Sequence, residues 1–403
     1  MAFRRPVSGV ERLWLAGARL ARPFVNQLVL ESPEGNLHAS DWETALSHVA
    51  ETTPGLGLTL SGALGWARWT DRVPPKVRVV DGRGWSGLDG GGAPFLTSDL
   101  DPRTGPTTEL LVVEGSTPRL VLRTSHATMD GRGTWLVAER LFAAARGQVL
   151  DPIPASLLSD EELCAQLGVS PETSPISDCP PALGEVRDGQ LATRWVRRDV
   201  PRVSAQGLLA RVCVLLAREV SSGDRGRVRI DIPVDLRRHR EMLQSTANLT
   251  GLIRLPVGRL LSERDAESAV SDALRSSLSE NEEARFCVMA RRMRWLPLGL
   301  MEWGGRRSAG QALSQGRFST TATVSNLGRL DLTPLNAPGF TPTGAWFIPP
   351  GSPGLPLFLT LSGSSQGITL CGAAPLGLAD GGRLEAFMTR LGHSLGEDGR
   401  KTS

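Results

Sequence analysis

Residues Glu109–Arg146 read ELLVVEGSTPRLVLRTSHATMDGRGTWLVAERLFAAAR. Two short β-rich runs, Glu109–Glu114 and Arg119–Ser125, flank Gly-Ser-Thr-Pro, so the stretch opens as a hairpin or a tight strand connection. After Gly131 the period changes. Trp135, Ala138, Leu141 or Phe142, and Ala145 recur every three or four residues, the spacing of one helix face. Between strand and helix lies His126-Ala-Thr-Met-Asp130-Gly131. A strand end can aim an imidazole and a loop can expose it. At its ordinary pKa of about 6.5, a neutral imidazole can accept a proton from an alcohol or amine near neutral pH. Two plainer readings stand beside this one: His126 as a hydrogen-bonded structural histidine, and Asp130 as the N-cap of the helix over 132–146.

Working outward, the chain of 403 residues exceeds one ordinary domain and predicts two lobes. With 40% hydrophobic and 22% charged residues it has ample material for a core. A net charge of +3, with both signs interspersed, argues against a dedicated nucleic-acid binder. Cys164, Cys179, Cys213, Cys287 and Cys371 form no C-x-x-C pair and are odd in number, which predicts a reduced, cytoplasmic compartment. No ligand spacing appears among the five His and five Cys, so no metal is expected. No apolar run is long enough for a membrane span. Tyr is absent, so no tyrosine serves as acid, base or nucleophile.

In chain order, a strand is expected at Phe24–Leu30, then a helix capped by Ser40-Asp41 and running to about Glu51. Gly82-Arg-Gly84-Trp-Ser-Gly87 matches G-x-G-x-x-G, but a dinucleotide site needs a helix to begin there, and Leu-Asp-Gly-Gly-Gly-Ala-Pro follows. A loop is expected instead. Between Gly147 and Gln190 the prolines at 152, 154, 171, 175, 180 and 181 break the chain, leaving a short helix near Ser159–Leu167. Further helices are expected over Ser204–Val220, Asp265–Glu283 and Gly382–Leu395. Cys213 falls on the apolar face of the first and reads as core. Gly363-Ser364-Ser365-Gln366-Gly367 matches G-x-S-x-G, with Asp380 and His393 following in hydrolase order. A nucleophile elbow joins a strand to a helix, whereas β-like Ile368–Cys371 follows here, so a hairpin turn is expected.

His126-x-x-x-Asp130-Gly131 resembles the H-x-x-x-D-G signature of acyltransferases sharing the chloramphenicol acetyltransferase fold, among them condensation domains, wax-ester synthases and polyketide-associated acyltransferases. Pro233-Val-Asp-Leu-Arg237, followed by Asn248-x-x-Gly251, resembles the second lobe of the free-standing members. Ser325-Asn326-x-Gly328 resembles a segment near their active-site channel. The resemblance implies an α/β (α+β) fold of two lobes, each a mostly antiparallel sheet flanked by helices, with a central channel. The lobes would be 1–150 and 191–403, joined by a crossover linker over 151–190. It further implies His126 as general base, with Asp130, Gly131 and Arg237 structural at the site and Arg237 paired with Asp130. Ser325, Asn326 and Ser125 are the candidate oxyanion or channel residues. Ser325 and Asn326 fit turn chemistry equally well, and Arg237 fits a solvated charge beside Arg238 and Arg240. Ser125 stands where many members carry a second His, a departure from the condensation-domain pattern.

The reaction so implied moves an acyl group from a thioester, on coenzyme A or a carrier-protein phosphopantetheine, to a hydroxyl or amine. No cofactor would be permanently bound, and the protein would be a monomer in natural-product or lipid biosynthesis. The rival class is a non-catalytic condensation-like module that recruits a carrier protein or enzyme partner.

Overall fold

A computed structural model describes residues 3–172, 177–352 and 354–401; Pro175 lies outside the described residues. Two sheets organise the chain. The first has five strands in the spatial order Gly344–Ile348, Val25–Glu31, Arg119–Ser125, Thr108–Glu114, Lys76–Asp81, antiparallel except for the last pair. The second has six, in the order Thr250–Leu255, Ile230–Asp235, Ala322–Arg329, Phe358–Gly363, Gly367–Pro375, Thr193–Pro201. Its two central pairings, on either side of Ala322–Arg329, are parallel and the rest antiparallel. A three-stranded sheet of Arg4–Pro6, Arg68–Asp71 and Leu58–Ser61 stands apart.

Helices cover the two large sheets. Ala39–Thr52 and Gly131–Ala145 bury Trp42, Leu46, Val49, Val137, Leu141 and Phe142 against Leu28, Leu110 and Leu122 of the first. Leu208–Glu219 and Arg383–Lys401 bury Val212, Leu216, Phe387 and Leu391 against Ile230, Leu359 and Leu370 of the second. Each fully buried side chain of this size contributes about 1.5–3 kcal/mol. Gly344–Ile348 comes from the C-terminal half yet pairs with Val25–Glu31 of the first sheet, so the chain ties the two sheets together covalently.

One irregularity makes room for a cavity. Ile230–Asp235 pairs with Ala322–Arg329 only at Ile230–Ala322 and Asp231–Thr323. Pro233 follows two residues later and has no N–H to offer a ladder. Beyond it the two strands diverge, and both line the open space between them.

Several expectations from the sequence need correction. The Ala39–Thr52 helix is entered through His38 with no side-chain cap, not through Ser40-Asp41. The helix expected from Ser204 starts at Leu208, because Gly207 at φ +67° turns the chain first. The helix expected to Glu283 stops at Ser279, and Asn281 at φ +56° redirects the chain into a separate helix, Glu283–Ala290. Gly9–Gly17 and Leu298–Gln315 are helices without a reading above. The second contains Gly299, Gly304, Gly305 and Gly310 and buries only Ala309 and Leu313, so neither propensity nor an apolar stripe announces it.

Candidate active site

Ser125 ends its strand, and the chain then folds tightly: the N–H groups of Thr128 and Met129 both donate to the Ser125 carbonyl, at 3.0 and 3.1 Å. Two asparagine amides clamp this turn from opposite sides. Asn26 Nδ2 donates to the Met129 carbonyl and Asn248 Nδ2 to the His126 carbonyl, each at 2.7 Å. The His126 ring is held beside the rings of Phe24 and Trp14, with centroids 5.2 and 5.5 Å away. Its Nδ1 is buried without a protein partner. Burial brings the imidazole pKa down to about 4, against the opposing pull of the Asp130 carboxylate and the Met129 carbonyl. The imidazole is therefore neutral at physiological pH.

Asp130 combines both readings offered for it. Its Oδ1 accepts from Gly133 N at 2.7 Å, capping Gly131–Ala145. The same carboxylate takes a bidentate pair from Arg237, Nη1 to Oδ2 at 2.9 Å and Nη2 to Oδ1 at 3.1 Å. Leu249 N adds a third support to Oδ2 at 2.7 Å. Arg237 also reaches the Ser245 and Ala247 carbonyls and Asp235, so it is no solvated charge. Burial raises the Asp130 pKa, but the Arg237 charge and these hydrogen bonds outweigh it and the net shift is downward. The carboxylate is spoken for on both oxygens and has no proton to exchange with a substrate. Gly131 tolerates more than its place in the motif suggests, since a Cβ there would meet Leu327 at 3.4 Å. The steric demand falls on Gly133, where a Cβ would lie 2.5 Å from the Thr246 carbonyl oxygen.

A cavity of about 470 Å³ opens beside His126, Asp130 and Gly131 and runs between the two diverging strands. Ser325 and Asn326 both line it. Asn326 accepts from Gly328 N at 3.0 Å, so its amide oxygen does serve a turn. Ser125 is buried and absent from the lining, which corrects its placement among the channel residues. At the other end of the Ile230–Asp235 strand, roughly 13 Å from Asp235 by strand rise, lie Asp231 and Arg254, residues without a reading above. Burial pushes Asp231 up to about 7 against the pull of Arg254, and its Oδ1 has no hydrogen-bond partner. Trp14, Phe24 and Asn26 were equally unread. The one available signal was Asn26-Gln27 inside an otherwise apolar strand, since a buried amide needs a partner.

The G-x-G-x-x-G and G-x-S-x-G matches fall in a loop and a hairpin turn. Lys76–Asp81 runs into a loop at Gly82, with no α-helix before Thr108. Phe358–Gly363 and Gly367–Pro375 pair as an antiparallel hairpin whose exposed tip carries Ser365. Ser365→Ala is accordingly expected to retain full activity, and a fluorophosphonate probe is expected to leave the wild-type serine unlabelled. Covalent labelling at Ser365 would return a serine-hydrolase reading. Cys213 is buried, and burial alone pushes its thiol up to about 12. Among the described residues no group of three or more His, Cys, Asp or Glu side chains could hold a metal ion, and no helix is long and apolar enough to cross a membrane.

No protein-family model and no curated protein matches the sequence. Solved structures do match the fold. The condensation domain of the Monacolin K polyketide synthase MokA aligns with a TM-score of 0.68 at 16% identity, covering 98% of this chain and 97% of that one. The first condensation domain of the calcium-dependent antibiotic synthetase, in complex with a substrate analogue, gives 0.65 at 16% identity, with the same coverage of 98% and 97%. TRI101 of F. sporotrichioides, complexed with coenzyme A and T-2, gives 0.59 at 15% identity over 95% of this chain and 97% of that one. The chain thus has the two-lobed chloramphenicol acetyltransferase-like fold that these proteins share.

Proposed function

We propose that this protein is an acyltransferase that moves an acyl group from a thioester to a hydroxyl or amine, with His126 as general base. The observation that carries the reading is a neutral imidazole, clamped by Asn26 and Asn248 through its turn, at the wall of a cavity large enough for an extended substrate. The thioester would be borne by coenzyme A or by the phosphopantetheine of a carrier protein. TRI101 was solved with coenzyme A, and the starter condensation domain of rhizomide synthetase RzmA with C8-CoA and Leu-SNAC. In this reading segments 1–150 and 191–403 form the two walls of the channel, and 151–190 is the crossover.

The chemistry needs no covalent enzyme intermediate, because a thiolate is already a good leaving group. His126 takes the proton as the acceptor's oxygen or nitrogen attacks the thioester carbonyl. The carbonyl oxygen gains the negative charge, and Ser325, which lines the cavity, is the candidate donor to it. As the carbonyl re-forms, the carbon–sulfur bond breaks and the imidazolium returns its proton to sulfur. Asp130 and Arg237 hold the histidine turn against the Ser245–Leu249 segment and take no proton. Holding both substrates in one cavity supplies further acceleration. The test is mass spectrometry of the purified protein with panels of acyl thioesters and nucleophiles, in which a transferred acyl group is the expected product. Thioester hydrolysis alone, or no turnover across broad panels, would sink the proposal and favour a recruiting module.

The low pKa of His126 sets the acid limb of the pH profile. Activity follows the neutral form, which persists until the pH falls to about 4. The kcat profile should therefore stay flat through the ordinary histidine range. A limb near pH 6.5 would show that the working base is not this desolvated imidazole. Stability shares the sign: with the folded pKa below the unfolded one, the unfolded chain binds the extra proton. This contribution is complete above about pH 6.5 and is lost as the pH falls towards 4.

A further inference from the structure

Among the described residues, eleven large hydrophobic side chains are exposed, and six of them fall in two short segments: Leu64 and Trp66, and Trp295, Leu296, Leu300 and Trp303. The three indoles are 72%, 57% and 63% exposed in that order. Two of the three are in contact. The Trp66 and Trp295 rings meet edge to face with centroids 6.0 Å apart, and a Cβ on Gly65 would lie 2.6 Å from the Trp295 ring. The buried Arg12 staples the two segments together, donating to the carbonyls of Leu64, Met293 and Leu296. Arg294 adds a bond to the Gly65 carbonyl while pairing with Glu161. Leu300 and Trp303, three residues apart, share one face of the Leu298–Gln315 helix, which begins two residues after Leu296. These side chains are held outward on a braced frame.

The surroundings are basic. Arg291, Arg292, Arg306 and Arg307 are exposed around the patch. The nearby acid Glu302 is engaged by Arg19 at 3.4 Å. Tryptophan and leucine on a surface helix, rimmed by exposed arginines, match the interface of an anionic bilayer: indoles settle at the headgroup level and guanidinium groups meet the lipid phosphates. None of these residues lines the cavity.

We propose that this face docks the protein on an anionic lipid membrane, with the Leu298–Gln315 helix lying in the plane of the interface. Flotation of the full chain with phosphatidylcholine vesicles containing phosphatidylglycerol, against phosphatidylcholine alone, tests it. Binding to the anionic vesicles is expected, weakened by salt. Arg291→Gln/Arg292→Gln should lower the partition coefficient by roughly 30-fold. Leu300→Ser/Trp303→Ser alters two exposed side chains and should abolish flotation while leaving the melting temperature unchanged. No flotation with anionic vesicles, or flotation that both double variants retain, overturns the proposal. So does a concentration-dependent dimer that Leu300→Ser/Trp303→Ser dissociates in the absence of vesicle binding, which would make this face a contact between two copies. Vesicle binding is independent of acyl transfer, so either can fail without the other.

Discussion

Replacing His126 with alanine is expected to lower acyl transfer by about two to four orders of magnitude while leaving the protein folded. The fold should survive because the bonds that shape the turn use the backbone of this residue, not its ring: Asn248 donates to the His126 carbonyl and His126 N donates to the Phe24 carbonyl at 3.2 Å. The ring contributes nothing comparable, since its Nδ1 has no partner at hydrogen-bond geometry. What alanine removes is the neutral imidazole at the cavity wall, the base of the proposed mechanism. A folded His126→Ala protein that turns over at the wild-type rate would remove the mechanism altogether. The control is His126→Gln, which preserves much of the ring's packing against Phe24 and Trp14 and should be equally inactive.

The largest effect on stability is expected at Asp130 and Arg237. Both are largely buried, with side-chain exposures of 5% and 12%, so removal of one partner strands the other charge at a cost of about 3–5 kcal/mol. An exposed helix cap would cost nearer about 1 kcal/mol. Arg237→Met should be the more damaging single change, because it also strips donors from the Ser245 and Ala247 carbonyls. Asp130→Asn keeps the shape of the cap and leaves Arg237 its contact with Asp235 at 2.8 Å. Denaturant unfolding of the two single variants and the double variant measures the coupling. Losses in the double variant that fall well short of the sum are expected, and strict additivity would show that the two residues act separately.

The strand, turn and helix around His126 were legible because each depends on neighbours in sequence. A short β-rich run marks Arg119–Ser125, a period of three to four marks Gly131–Ala145, and Asp130 before the apolar stripe marks the cap. The hairpin at Ser365 was legible for the same reason, since the residues on both sides of Gly367 are β-formers. The resemblance through Pro233–Arg237 named Arg237 as the partner of Asp130, a contact across 107 positions that no local pattern contains.

Long-range packing decided the rest. The Gly344–Ile348 strand joins the first sheet from the far half of the chain, and the parting of Ile230–Asp235 from Ala322–Arg329 beyond Pro233 opens the cavity. Pro233 marks a break in a ladder, but which strands pair and which part is set by segments far apart in the chain. The chemistry of His126 is the clearest case. Its sequence supplies an imidazole of ordinary pKa, about 6.5, whereas Trp14 and Phe24, from more than a hundred positions away, enclose the ring. Desolvation by this packing disfavours the charged form and lowers the pKa to about 4. Periodicity and turn chemistry are properties of adjacent residues and can be read in order along the chain. Burial, ion pairing and cavity shape belong to residues that meet only after folding.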